Sequence, residues 1–508
     1  MNFLFGTMFG MSDMTLAFDS VFGHFLKNRG HKVSYLICNS GLKNCIFDAK
    51  EYLSGGRNLY QEINRKVKCD YCSLNAHRVL ESFGLADDII LLNNFLPENS
   101  SSLLYLESND LNVYNPTEHA LSTTLRNLLI GDLDHDKEST LIFNAYFKSS
   151  QLYRMSLLNF FSHNHIDSII CVHGIYQEHG VLVDVAKELG IHVYVYGFTY
   201  RSNTFSFFSG DTYHRSIWNI PISAWQNLVL TEEINLVVNQ YLLSKSAGGR
   251  DNVNYHPSPI MEHDKIKSIL NLKDDDKIFT FFTNVLWDAK IYYSDSLFDD
   301  GIVSATKFLI NTFLNRPNEK LIIRVHPAES KGGFSTRKTF KELIYDNFPF
   351  LPSNIILIDS NSDISSYTLA ELSLCSIIYG SNIGLELACR GHRVMVIGEA
   401  FIKGLPFVYT PFNLDEIYEF LFGSNGFSAF QIDPEEALKY FYFLNFKISI
   451  DLDFVFYDSV SLKNLVIKGF SNLHAKSFFS NNFLELEKQI LNKEKVLDYS
   501  KFNLGKYD

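Results

Sequence analysis

Four polar segments in the second half of the chain each follow a short apolar run. They are Thr283-Asn284-Val285-Leu286-Trp287-Asp288, Arg324-Val325-His326-Pro327-Ala328-Glu329, Ser360 to Tyr367, and Tyr379-Gly380-Ser381-Asn382-Ile383-Gly384-Leu385-Glu386. If the apolar runs are parallel strands, these segments sit outside the carboxyl ends, where open sheets bind ligands. Their residue types suit a ligand that carries phosphate and hydroxyl groups. Gly380, Ser381 and Asn382 open a helical pattern, so backbone N–H groups and a hydroxyl can meet an anion. Gly384 permits close packing, and Glu386, one turn on, can accept from vicinal ribose hydroxyls. His326, fixed by Pro327, can donate to a leaving phosphate and can change charge near neutral pH. Arg324 and Glu329 flank it, and charged groups at such a place need a reason. Asn284 and Asp288 could hold sugar hydroxyls or a base on either side of Trp287, while Ser366 either touches phosphate or belongs to a helix cap. Simpler readings stand beside these: an N-capped structural helix for Gly380-Ser381, and a strand-end His bonded to backbone for His326.

In the first half, His173-Gly174 ends an apolar run and leads to Ile175-Tyr176-Gln177-Glu178-His179-Gly180. Glu178 or His173 is the candidate base for an acceptor hydroxyl, with Asp13 as rival. Tyr200 and Arg201 follow a later strand and are read as acceptor-side residues, with Asp211 to His214 as further candidates. No G-x-x-x-x-G-K-S/T is present, and no G-x-G-x-x-G follows a strand, which argues against a P-loop NTPase and a nicotinamide dehydrogenase. Neither H-E-x-x-H nor G-x-S-x-G occurs.

The elements needed to position these groups are legible as an alternation. Phe3 to Phe5 reads as a strand, Gly6 to Ser12 as a loop, Asp13 to Asn28 as a helix stopped by Gly30, and Val33 to Cys38 as a strand. Thr140 to Asn144 is predicted as a strand, the segment to Asn164 as a helix, Asp167 to Val172 as a strand, Gly180 to Leu189 as a helix and Val193 to Tyr196 as a strand. After a Gly/Ser/Asn/Pro-rich stretch the alternation restarts. Strands are predicted at Lys277 to Thr283, Lys320 to Val325, Asn354 to Ile358, Ser376 to Tyr379 and Arg393 to Ile397, with helices between them. Continuous apolar strands alternating with helices imply parallel sheets covered on both faces. The expected fold class is α/β: two doubly wound Rossmann-like domains facing a cleft. The expected boundaries are 1–245, a linker at 246–268, a second domain at 269–475, and a helical tail at 476–508 that can pack back on the first domain.

Composition narrows the partners. The chain has 508 residues, 46% hydrophobic and 20% charged, enough for full cores and unlike a disordered chain. Its net charge of −12 repels phosphate backbones and disfavours nucleic acid as a partner. Seven cysteines, irregularly spaced, fit buried free thiols in a reducing compartment. Cys69-x-x-Cys72 is one tight pair, and zinc would need Cys38 and Cys45 as further ligands. The opening residues lack a basic signal-peptide region, and no apolar run is long enough to span a bilayer. The expected location is the cytoplasm, with at most peripheral contact at the inner membrane.

The quoted segments together resemble bacterial capsule and surface-polysaccharide glycosyltransferases, including relatives of the capsular Kdo transferases. The likeness is strongest over 275–410, in Phe282 to Ala289, Arg324 to Glu329, Ser366-Tyr367 and Tyr379 to Glu386, and extends to His173-Gly174 and Tyr200-Arg201. The His326-Pro327 pair also resembles a motif of bacterial sialyltransferases, which use CMP-sugars. The resemblance implies a GT-B fold and a CMP- or UDP/GDP-linked sugar donor. It implies a glycan or glycolipid acceptor of capsule or O-antigen type. No metal or other cofactor is implied, since the nucleotide-sugar is a substrate. A nucleotide-sugar 2-epimerase of the same fold, or a non-catalytic glycan- or nucleotide-binding subunit of a polysaccharide assembly complex, remain alternatives.

Overall fold

The structure, a computed structural model, describes residues 1–42, 44–47, 59–98, 114–131, 133, 137–201, 204–246, 258–290, 296–299, 301–331, 336–424, 426, 430–451, 455–457, 465–467, 481–494 and 497–498. Two open sheets organise them. The first contains β1 (Asn2–Met8), β2 (Lys32–Ile37), β3 (Ile89–Leu91), β4 (Ser168–Val172), β5 (His192–Phe198) and β6 (Thr204–Ser209). The second contains β7 (Lys277–Phe282), β8 (Glu319–Arg324), β9 (Ile355–Ile358), β10 (Cys375–Ile378) and β11 (Val394–Val396), in the order β11-β10-β7-β8-β9 and parallel throughout. A late strand, β12 (Ile450–Asp451), returns to the first sheet and gives it the order β12-β6-β5-β4-β1-β2-β3. β1 to β5 are parallel, whereas β6 and β12 are antiparallel to their neighbours.

The strands are near-continuous apolar runs because helices cover both faces. Phe3-Leu4-Phe5, Ile169-Ile170-Cys171 and Leu321-Ile322-Ile323 are fully buried. The α/β class with two Rossmann-like sheets follows from this order and register.

The chain departs from the sequence reading in four places. Thr140 to Asn144 is not a strand but part of the Lys137–His163 helix. A short apolar run cannot be told from a buried helix segment by pattern alone, and length decides. The strand β6 was not expected, since it follows β5 as a hairpin partner rather than through a crossover helix. The His263–Leu270 helix begins inside the expected linker and runs past its end, and Ile260 bridges to Ile364, so this stretch packs with the second sheet. The chain also leaves the second unit before 475. The Pro434–Tyr442 helix sets Tyr440 against Trp225 and Phe407, and the next residues carry the backbone to β12.

One apolar core runs through the first unit into these crossing elements. Near the C-terminus the Asn481–Leu491 helix lies on the Asp13–Asn28 helix, where Phe483 meets Phe18, Phe22 and Phe25. Glu487 is buried there and is paired with Arg29 at 3.0 Å and His31 at 2.9 Å. Among the described residues no helix is long and apolar enough to cross a membrane.

Candidate functional site

The strand register fixes which loops share an edge. Ile378 stands beside Phe282, Phe282 beside Arg324, and Arg324 beside Ile358. The residues that follow leave one carboxyl edge in a row: Tyr379-Gly380-Ser381, Thr283-Asn284, Val325-His326 and Asp359-Ser360. The strand order reverses between β7 and β10, so Asn284 and Gly380-Ser381 flank the switch point.

Contacts tighten that row. A Cβ on Gly380 would stand 2.8 Å from the Glu399 carbonyl oxygen and 3.5 Å from Asn284 Oδ1, so the close approach requires glycine. Asn284 donates Nδ2–H to the Val285 carbonyl at 3.0 Å, while its buried Oδ1 has no hydrogen-bond partner among the described residues. The His326 N–H donates to Thr283 Oγ1 at 3.0 Å, and His326 Nδ1 accepts from the Ala328 N–H at 3.1 Å. With Nδ1 accepting, the neutral ring carries its proton on Nε2 and is a donor there. Ser381 is buried beside this row, and Asn382 takes the N-cap position of the Ile383–Cys389 helix without a side-chain capping bond. Gly384 lets that helix press on β10, where a Cβ would meet Ile378 Cδ1 at 2.5 Å.

Other predicted donor ligands are engaged within the protein. The Glu386 carboxylate pairs with Lys245 at 3.2 Å and accepts from the Tyr367 hydroxyl, in place of ribose. Arg324 is fully buried and donates to the carbonyls of Asp359 at 2.5 Å and Ser362 at 3.0 Å, bracing the loop after β9. Burial lowers its guanidinium to about 10. Glu329 is buried and accepts from the Phe340 N–H at 2.9 Å, at the start of the Phe340–Asn347 helix. Its desolvation lifts the carboxyl to about 7. Ser365, not Ser366, caps the Ser366–Glu371 helix.

Asp288 has left the donor row for the other unit. The Tyr176 hydroxyl donates to it at 2.9 Å, and Arg126 pairs with it at 3.4 Å. The Arg126 guanidinium also lies 4.4 Å from the Trp287 ring centroid, and Trp287 donates to Thr336 Oγ1 at 2.9 Å. Asp288 follows the carboxyl end of β7 and Tyr176 that of β4. This contact therefore brings the carboxyl edges of the two sheets together.

In the first unit the switch point lies between β1 and β4. His173 ends β4 with φ of 32°, held by its N–H on the Tyr196 carbonyl and by its own carbonyl accepting from Tyr213. Burial, then His179, His214 and Arg126 nearby, push its imidazole well below the usual range. Its Nδ1 accepts from Ile175 at a long 3.4 Å. His179 is lowered to about 4 by burial, and its Nε2 has no hydrogen-bond partner among the described residues. Glu178 is fully buried, accepts from the Ile46 N–H at 2.8 Å, and is raised to about 7 by desolvation. That enclosure removes it as the base that meets an acceptor. Asp13 opens the Asp13–Asn28 helix, and its side chain lies outside the described residues.

Tyr200 is exposed, with Lys245 Nζ 5.6 Å from its ring centroid. Arg201 is not open to an acceptor. It donates to the carbonyls of Asn445 and Ser449 and pairs with Asp451 at 3.1 Å, stapling the crossing segment to the first sheet. Sequence reasoning missed Arg126 and Lys245. Each is a single cation inside a helical pattern, which reads as solvated surface. Among the described residues no group of three or more His, Cys, Asp or Glu is arranged to hold a metal; Cys38, Cys45, Cys69 and Cys72 instead line one pocket.

No protein-family description matches the sequence, and no curated protein matches it. Solved structures with a similar course include KpsC, a beta Kdo 2,4 transferase from Thermosulfurimonas dismutans, at 9% identity and a TM-score of 0.36, over 61% of this chain and 87% of that one. UDP-GlcNAc 2-epimerase from Neisseria meningitidis, bound to UDP-GlcNAc, aligns at 12% identity and a TM-score of 0.26, over 86% and 96%. The spinosyn rhamnosyltransferase SpnG aligns at 10% identity and a TM-score of 0.24, over 87% and 95%. At such values the two-sheet assignment rests on strand order and register.

Proposed function

We propose that this chain is a glycosyltransferase that moves a sugar from a nucleotide-sugar to a growing bacterial surface glycan. The observation that carries the reading is the Tyr176–Asp288 contact, which sets two switch-point edges against each other. One edge offers donors to phosphate, and the other holds titratable groups for a hydroxyl.

In this reading the acceptor oxygen attacks the anomeric carbon, the bond from that carbon to the phosphate oxygen breaks, and the nucleotide leaves with the electron pair. His326 Nε2–H, the Ser381 hydroxyl and the Gly380-Ser381 backbone donate to the growing charge. The hydroxyl proton passes to His173, whose neutrality leaves it able to accept. Its long bond from Ile175 is weak enough to yield, freeing Nδ1. Asn284 Oδ1, which has no partner among the described residues, accepts from a sugar or ribose hydroxyl. The donor chemistry fits a cytoplasmic enzyme, with at most peripheral contact at the inner membrane.

A thermal-shift panel of CMP, UDP and GDP tests donor binding. One nucleotide should stabilise the protein in proportion to the logarithm of its excess over Kd. Turnover of the matching nucleotide-sugar with and without a glycan acceptor then separates the alternatives. An epimerase releases free sugar without acceptor, and a binding subunit consumes no donor. Failure of all three nucleotides to shift the melting temperature would overturn the proposal.

A further inference from the structure

One face of the Thr117–Leu128 helix touches both carboxyl edges. His119, Ser122, Thr123 and Arg126 fall at positions i, i+3, i+4 and i+7, so they share that face. Thr123 Oγ1 accepts from the Gln177 N–H at 2.8 Å, where the chain after β4 turns into a helix. Ser122 donates to the Lys290 carbonyl and Arg126 pairs with Asp288 at 3.4 Å, both in the segment after β7.

His119 is the buried end of this row. Its Nδ1 lies 2.6 Å from the Ile175 carbonyl oxygen, and its Nε2 lies 3.1 Å from Asp184 Oδ2. A carbonyl and an ionised carboxylate only accept, so both ring nitrogens carry protons. Against its own burial, Asp184 is held below the ordinary carboxylate range by His119, by the Tyr114 hydroxyl at 2.8 Å and by Lys187. Burial disfavours charge on the His119 ring, but Asp184 and the Ile175 carbonyl outweigh it and lift the imidazole above its ordinary value. Glu118, on the same helix, is bound through both oxygens at 2.5 Å by Arg215, which also faces Asp211 at 3.7 Å. Arg154 covers the Tyr114 ring and pairs with Glu188 at 2.7 Å. Gly180 makes the ring's approach possible, since an added Cβ would collide with Nδ1.

Ile175 links this ring to His173. Its carbonyl is held at 2.6 Å by His119, whereas its N–H reaches His173 Nδ1 only at 3.4 Å. The charge-assisted bond fixes the residue, and the long one can yield. We infer that His119, donating from both ring nitrogens, is a positioning residue that anchors Ile175 and thereby orients His173 for an incoming hydroxyl. The part played by His173 rests on the transferase reading, whereas the doubly donating His119 does not.

NMR of the full chain with nitrogen-labelled histidine, at pH 7 and without ligand, reads the protons on each ring. The His119 signal, assigned by its loss in His119→Gln, should show both nitrogens protonated, while His173 and His179 are neutral. Asp184→Asn keeps the ring in place but removes its counter-charge, so the His119 midpoint should fall by about one pH unit or more. Hydrogen exchange in His119→Gln should rise at 174–180 and stay at the parent level in β7 and β8. In turnover of the matching nucleotide-sugar, the same variant should lose about tenfold or more in kcat with the donor KM unchanged. A single protonated nitrogen on His119 at pH 7, an unmoved midpoint in Asp184→Asn, exchange raised equally in both sheets, or an undiminished kcat in an active enzyme would overturn the inference. If the NMR and exchange results stand and no nucleotide-sugar is turned over, the transferase reading alone has failed.

Discussion

Glu178 shows how a residue can carry the right chemistry and the wrong access. Its carboxyl, like those of Asp19 and Glu329, is raised by burial to about 7. A carboxyl held above its ordinary value binds its proton more tightly folded than unfolded. Its contribution to stability is complete below the ordinary carboxyl range and is lost as pH climbs through about 7. The imidazoles act oppositely: His173, His179 and His214 are lowered by burial, so they cost stability as pH falls below their ordinary value. Glu178→Gln removes one term alone and keeps an acceptor for Ile46. Its melting temperature relative to the parent should therefore rise from pH 5 to about pH 7 and level off above it, and a constant offset across that range would refute the assignment. His326→Ala tests the other edge: turnover should fall about 10²-fold or more with the fold retained. The positions of both residues were legible because apolar runs end where they stand. Their access was not, since burial depends on elements distant in sequence, such as the Ile46 loop above Glu178. The same limit applies to Glu386, whose partner Lys245 lies 141 positions away, the difference between 386 and 245.

At the scale of elements, the parallel alternation was readable wherever a continuous apolar strand met a glycine-stopped helix, as at Asp13–Asn28 before Gly30. It failed where an apolar run lay inside a long helix, at Thr140 to Asn144, and where β6 replaced a crossover with a hairpin. Two glycines around the Ile383–Cys389 helix separate packing from binding. At Gly384 an added Cβ meets the ends of the Ile378 and Ile402 side chains, which can shift. Gly384→Ala should cost about 1–3 kcal/mol of stability and keep nucleotide affinity. At Gly380 the added Cβ meets the Glu399 backbone, so the strand-end loop itself must move. Gly380→Ala should weaken the stabilising nucleotide of the thermal-shift panel at least tenfold, where Gly384→Ala leaves that affinity unchanged. Unchanged nucleotide affinity in Gly380→Ala would show that Gly380 serves packing alone.

At the scale of the molecule, two distant contacts decide how the units are joined, and neither follows from local pattern. Arg201 holds the returning segment on the first sheet, and Asp288 ties the loop after β7 to Tyr176 and Arg126. The two are physically different. Arg201 is largely enclosed and satisfies backbone carbonyls, so its loss strands buried acceptors; Asp288 is about half exposed at 54%, so water can replace much of what it loses. Hydrogen exchange should resolve them. Arg201→Ala should raise exchange at 445–451 and along β6 and lower the melting temperature, because the crossing segment loses its staple. Asp288→Ala should leave the melting temperature nearly unchanged and raise exchange at 283–289 and in the Thr117–Leu128 helix, because only the apposition of the two edges relaxes. If Asp288→Ala instead protected those segments, the contact would be a strain on the closed arrangement, and the transferase geometry would have to form without it.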